Sequence, residues 1–223
     1  MIPWKLLDRA RVPRAEGELT LHSRGDEFSI RIDAQELMNS RTYAVEDALS
    51  QIGCARVRHR QKARVLIGGL SMGYALRTAL SGLAADAEVV VAELVPAVVT
   101  WNRSWLGHLA GHPLNDRRVA LRETDVAVVL KEKRGAYDAI LLDVDNGPEG
   151  LTRRGNDWLY GRAGLASAHA ALRDEGVLGV WSAARNEPFV RRLRSAGFAV
   201  DEIAVKARGH GRGARHTIWL ANR

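Results

Sequence analysis

Hydrophobic positions along this chain follow two rhythms. Up to about residue 62, polar and apolar residues alternate in ELTLH (Glu18–His22) and EFSIRI (Glu27–Ile32), with the turn-forming SRGD between them. That alternation predicts an antiparallel hairpin. A helix is predicted over Thr42–Ile52, where Val45, Leu49 and Ile52 recur at helical spacing and Gly53 reads as its stop. From Val65 onward, short continuous apolar runs replace the alternation. Strands are predicted at Val65–Ile67, Glu88–Glu93, Val119–Arg122, Ala139–Asp143, Val177–Trp181, Ala199–Val205 and His216–Leu220. Helices are predicted between them at Tyr74–Leu83, Ala97–Leu106, Val126–Lys133, Leu165–Leu172 and Pro188–Ala196. Apolar strands joined by helices imply a mostly parallel sheet covered on both faces. KARGHGRGAR joins the last two strands without a helix, so they should pair as an antiparallel hairpin. The expected fold class is α/β: a Rossmann-like, seven-stranded, mostly parallel sheet with a C-terminal antiparallel hairpin. Residues 1–62 are expected to form a small N-terminal hairpin and helix region, and residues 63–223 the main domain.

Composition adds boundaries to this picture. The chain has 223 residues, 46% of them hydrophobic and 26% charged, ordinary for a globular protein. No apolar run reaches bilayer-spanning length, and MIPWKLLDRARVPR carries charges where a signal peptide needs an apolar stretch. A cytoplasmic protein without membrane association is expected. Cys54 is the single cysteine, which excludes an internal disulfide. The formal net charge is +7, but only five of the 33 basic residues are lysines, a skew that coding bias alone produces. The basic segments RVRHRQKAR and KARGHGRGAR have the chemistry to touch phosphates, yet no aromatic residues are interleaved as a stacking platform. Nucleic acid is therefore a secondary expectation.

In open α/β sheets, ligands sit beyond the carboxyl ends of the strands. The first strand of the main domain runs into GGLSMG, whose Gly68, Gly69, Ser71 and Gly73 form a tight turn opening a helix. Such a turn brings backbone close to a ligand and offers free N–H groups. Its spacing is not the dinucleotide fingerprint. The second strand ends at Glu93, placed to accept both hydroxyls of a ribose or to stand solvated. The third leads to Asp125, an adenine contact or the N-cap of the following helix. The fourth ends in AILLDVDNGPEG, where Asp143 and Asp145 can hold a cationic group and take its proton, or serve as turn residues. Asn146 follows in the same turn, and Trp158 and Tyr160 lie in the next loop, placed to wall a pocket. His108 and His112 are four residues apart, but Gly111 and Pro113 break the helix that two metal ligands would need. A surface turn is expected there, and no metal.

The layout of α/β units ending in a hairpin is that of class I S-adenosylmethionine-dependent transferases. Within it, VLIGG, AEVVVAELVPAVVTWNR, NDRRVALRETDV, YDAILLDVDNGPEG and LYGRAGLASAHAALRDEGVLGVWS resemble the spermidine synthase (polyamine aminopropyltransferase) family. The resemblance extends over most of residues 63–205. It implies an S-adenosylmethionine or decarboxylated S-adenosylmethionine donor, an amine acceptor and a homodimer. By position it implies Glu93 on the ribose, Asp125 on the adenine and Asp143 as the base beside the attacking amine. Three departures stand out. The family's acid in G-G-G-D-G-G falls at Ser71, its D-x-x-D becomes D-V-D-N, and its N-terminal glutamine falls near Leu37. An acid suits the bare ammonium of a decarboxylated donor, whereas a serine accommodates a donor carboxylate. Three readings remain open: aminopropyl transfer in polyamine-type biosynthesis, methyl transfer to a small molecule or RNA, and nucleoside binding without catalysis.

Overall fold

In the computed structural model, residues 2–13, 17–33, 35–144, 148, 157–208 and 212–223 are described. The predicted hairpin is present as β2 (Glu18–Arg24) and β3 (Glu27–Ile32), with Leu21 opposite Ile30. Two further strands, β1 (Lys5–Arg11) and β4 (Gln35–Asn39), extend it into a four-stranded antiparallel sheet. Neither was predicted. Both are edge strands with mostly half-exposed side chains, so no buried face imposes alternation on their sequences.

Helix α1 (Ala44–Ala55) begins two residues later than expected and runs through Gly53 rather than stopping there. Packing explains the glycine: a Cβ at position 53 would lie 2.4 Å from Leu141 Cδ2. Gly53 lets the helix close onto the sheet.

The main sheet contains β5 (Arg64–Gly68), β6 (Glu88–Glu93), β7 (Val119–Glu123), β8 (Tyr137–Leu142), β9 (Leu172–Ser182), β10 (Ala199–Arg208) and β11 (Arg212–Asn222). Their order across the sheet is β10-β11-β9-β8-β5-β6-β7. β5 pairs in parallel with both β6 and β8, while β11 runs antiparallel to β9 and β10. The chain fills one side of β5 first and then crosses to the other, so the order reverses between β5 and β8. That reversal is where an α/β sheet opens a crevice.

The helices are α2 (Tyr74–Gly82), α3 (Pro96–Arg103), α4 (Val126–Glu132), α5 (Asp157–Tyr160), α6 (Arg162–Ala171) and α7 (Glu187–Ser195). Successive residues of β5 point to opposite faces. Val65 and Ile67 join one core with Leu49 of α1 and Leu76 of α2, while Leu66 joins a second with Val129, Leu165 and Phe189. Leu19, Leu21 and Ile30 of the N-terminal sheet belong to the first core. Trp101 Nε1 in α3 also donates to Asp8 Oδ2 of β1 at 2.8 Å. The small sheet is thereby held over the same end of the main sheet as the strand termini of β5 and β6. Among the described residues, no helix is long and apolar enough to cross a membrane.

At the opposite end of the sheet, the buried carboxylate of Asp138 in β8 gathers three donors. It accepts from Arg60 Nη1 at 2.8 Å, Arg173 Nη1 at 2.7 Å and the backbone N–H of Arg64 at 2.7 Å. Its side chain is 2% exposed. Removing one partner of a buried pair leaves the other charge uncompensated. Asp138→Ala should therefore cost about 3–5 kcal/mol in urea unfolding. Glu88→Ala, which breaks the half-exposed pair with Arg64, should cost less than about 1 kcal/mol.

Candidate active site

Four strand ends and the N-terminal sheet meet at the crevice. The turn after β5 is shaped by backbone contact. Gly69 has φ +92°, and a Cβ there would lie 2.3 Å from the carbonyl oxygen of Asp143. Only glycine allows the turn to sit this close to the end of β8. Ser71 is also left-handed, at φ +52°, and its Oγ lies 3.1 Å from Met38 Sδ of β4. Asn102 Nδ2 holds the Ser71 carbonyl at 2.8 Å.

Glu93 fastens this turn to the neighbouring strand. Its Oε2 accepts the backbone N–H of Leu70 at 2.9 Å and its Oε1 that of Val95 at 2.8 Å, both in buried surroundings. A carboxylate oxygen has lone pairs for more than one hydrogen bond. Asp125 combines both roles considered for it. Its Oδ1 caps α4 by accepting from Ala127 N at 2.8 Å, and the residue also borders the crevice.

The crevice is divided into two cavities. The first is lined by Gly69, Ser71, Glu93, Asp125 and Asp143, with apolar walls from Leu37, Met38, Val95 and Val126. The second is lined by Glu36, Glu46, Ser71, Asp143, Trp181 and His216, together with β4 and the start of α1. Leu37, Met38, Ser71 and Asp143 border both. A ligand reaching from one cavity to the other therefore passes Asp143.

The geometry of Asp143 fits that place. Trp181 Nε1 donates to its Oδ1 at 3.1 Å, while Oδ2 is buried with no hydrogen-bond partner among the described residues. Burial pushes this carboxyl well above the usual carboxylate range; the Trp181 hydrogen bond opposes the rise and the charge of Glu93 adds to it. Glu46 rises too, first by burial and then by the charge of Asp143. The two carboxyls face one cavity and titrate together.

Several expected site residues lie elsewhere. Gly68 ends β5, where an added Cβ would meet Val126 Cγ2 at 3.0 Å, and Gly73 precedes α2 against Asn102 and Pro113. Both shape the turn from behind. Tyr160 packs in the second core, with its hydroxyl donating to the Val144 carbonyl at 3.1 Å, and Trp158 lies under Lys131 Nζ at 4.0 Å. Neither is among the residues bordering the two cavities. Asp145 and Asn146 lie outside the described residues. His108 falls in a short 3-10 turn, Gly107–Ala110, and His112 in the left-handed residue after it. Cys54 is buried, which pushes its thiol up to about 12.

Sequence reading missed Glu46, Trp181 and His216. Glu46 sits in the first turn of α1, where an acid is expected simply to favour the helix dipole. His216 carried a legible signal: it alternates with Ile218 and Leu220, both fully buried, so its side chain falls on an inward face of β11.

A mostly parallel sheet with a switch-point crevice, flanked by helices and ending in an antiparallel hairpin, defines a Rossmann-like α/β fold. No protein-family model matches this chain, and no curated protein does. Solved structures do, spermidine synthases among them. Spermidine synthase from Thermotoga maritima superposes with a TM-score of 0.76 at 14% identity, covering 97% of this chain and 72% of its own. A spermidine synthase in complex with the transition state analogue AdoDATO gives 0.75, 14%, 97% and 72% for the same measures. A probable spermidine synthase from Corynebacterium glutamicum ATCC 13032 gives 0.66, 13%, 98% and 79%. The protein has a spermidine synthase-like fold.

The raised carboxyls set a pH dependence. A carboxyl whose folded pKa lies above its unfolded value favours the fold at low pH, and that contribution is lost as pH rises through the folded value. Stability should thus fall as pH rises from the ordinary carboxylate range through about 7 for Asp143 and about 8 for Glu46. Going from about pH 5 to about pH 8, the thermal midpoint of Glu46→Gln should drop less than that of the parent, by about 2–4 °C.

Proposed function

We propose that the protein is a group transferase using an S-adenosylmethionine-type sulfonium donor, and that the transferred group is aminopropyl, passed to an amine in polyamine-type biosynthesis. The observation carrying this reading is the placement of Asp143 between two cavities, with one carboxyl oxygen held by Trp181 and the other without a hydrogen-bond partner among the described residues. The first cavity suits a nucleoside: Glu93 has capacity for ribose hydroxyls, and Asp125 lies one strand further along. The second suits a cationic acceptor, because Glu36, Glu46 and Asp143 line it. The likeness of the fold to spermidine synthases supports the same assignment.

The reaction is a single in-line displacement. The acceptor nitrogen forms a bond to the carbon beside the sulfonium, the carbon–sulfur bond breaks, and sulfur leaves with the electron pair as a neutral thioether. The proton on nitrogen passes to Asp143. Positioning contributes most of the acceleration and the carboxylate the remainder. Asp145 and Asn146 follow Asp143 by sequence and are proposed to complete the acceptor end. Assembly as a homodimer is proposed by analogy with the family resembled.

Ser71 favours a second reading, methyl transfer from S-adenosylmethionine, since no acid stands at this place in the turn to meet a donor ammonium. Glu46 weakens that objection: it faces the same cavity as Ser71 and supplies a carboxyl from α1 instead.

Calorimetric titration separates the readings. Decarboxylated S-adenosylmethionine and methylthioadenosine should bind, with S-adenosylmethionine at least about tenfold weaker than the decarboxylated donor. The reverse preference would install the methyltransferase reading, and nucleoside binding without turnover of putrescine or RNA the non-catalytic one. Asp143→Asn should retain methylthioadenosine binding while lowering turnover of putrescine by about 10²-fold or more. Glu93→Ala should lose the nucleoside itself.

A further inference from the structure

The second cavity presents an electrostatic problem. The protein carries a net charge of +7, yet among the described residues lining this cavity there are three carboxyls, one histidine and no lysine or arginine. Glu36 at the outer end is satisfied: Ser29 Oγ donates to its Oε2 and Asn39 Nδ2 to its Oε1, both at 2.8 Å. The inner end is not. Asp143 Oδ2 and His216 Nδ1 are both buried polar atoms without a hydrogen-bond partner among the described residues. Two such atoms bordering one cavity, beside a second carboxyl, mark a place where something is to be bound.

We propose that the inner end of this cavity is a proton-for-ammonium exchange site: Glu46 and Asp143 hold one proton between them when it is empty, an entering ammonium group takes that proton's place, and His216 conducts it to water.

The charges around the pair are consistent in sign. Glu46 feels Asp143 and, from its own helix, Asp47; Asp143 feels Glu93 as well. Asp47 is offset by Arg77, which donates to both its carboxylate oxygens at 2.7 and 2.8 Å, so that cation is committed away from the cavity. Like charges in a poorly solvated space do not both ionise near neutrality. A cation removes the reason for holding the proton. His216 is suited to transport because its ring is half-buried: Nδ1 is enclosed, and the ring rests 5.7 Å from that of Trp181, whose indole holds Asp143. Burial lowers the pKa of the imidazole, so it is neutral at rest and free to accept and release a proton. For group transfer, a consequence that rests on the reading proposed above, the same route would carry away the proton that the acceptor nitrogen loses.

The exchange itself needs no turnover to be measured. Titrating 1,4-diaminobutane into the protein near pH 7, in two buffers of different ionisation heat, counts protons released per amine bound. The parent should release between about 0.5 and 1 proton. Glu46→Gln should cut this at least threefold, and Glu46→Asp, which keeps the carboxyl, should restore most of it. In stopped-flow with a pH indicator, His216→Ala should release the same amount about tenfold more slowly, and added imidazole should recover the rate. Circular dichroism establishes that each variant is folded. Release near zero in the parent, release unchanged in Glu46→Gln, or absence of diamine binding would overturn the exchange. An unchanged rate in His216→Ala would overturn the relay. Each titration is run with and without methylthioadenosine. Failure of the nucleoside to bind counts against the transferase reading alone, since the proton count is taken on the free protein too.

Discussion

In the crevice two pieces of backbone, Gly69 and the carbonyl of Asp143, meet with no room between them for a Cβ. β5 and β8 are neighbours in the sheet, so their ends must emerge side by side, and the missing side chain lets the turn fold across the end of β8. Glu93 then holds that turn through Leu70 N, and Met38 meets it from the N-terminal sheet through Ser71. Remove the contact and the partition between the two cavities goes with it, because Ser71 and Asp143 are both part of that partition. The site is consequently an outcome of sheet topology before it is an outcome of side-chain chemistry.

Two charge regimes coexist in the molecule. Most ion pairs are partly exposed, such as Arg9 with Glu18 and Arg185 with Glu202, and contribute little to stability. At the far end of the sheet, Asp138 is buried but matched by Arg60 and Arg173. At the crevice end, Glu46 and Asp143 are half-buried against a cavity whose described lining carries no such cation. The contrast matters because both ends are built from the same strands. Burying acids with partners makes a structural anchor; burying them without partners makes groups whose charge a ligand can change.

The strand ends were legible in the sequence because parallel strands buried on both faces leave continuous apolar runs, and the first polar residue after each run marks the end. Glu93 and Asp143 were found this way, and Asp125 by its place just beyond the third strand. Residues entering from other directions left weaker traces. Glu46 resembles any acid in a first helical turn, and its exposure to the cavity depends on how α1 lies over the sheet, fixed partly by the contact of Gly53 with Leu141. Gly53 itself misled in the same way, since a glycine that permits close packing looks identical in sequence to one that ends a helix. β1 and β4 were missed because edge strands need no apolar alternation. Trp158 and Tyr160 were expected at a pocket from their loop position, whereas Tyr160 is held in the second core beside Phe189, at a ring distance of 5.8 Å.

Ser71 shows why position in a motif does not by itself assign chemistry. Judged along the chain, a serine in place of an acid removes the partner for a donor ammonium. Judged in space, the cavity that Ser71 borders already contains three carboxyls from other elements, and a fourth there would add to their mutual repulsion. The serine, in contact with Met38 Sδ, lets β4 close over the turn. The carboxyl missing from the turn thus has a counterpart on α1, in the cavity that Ser71 borders.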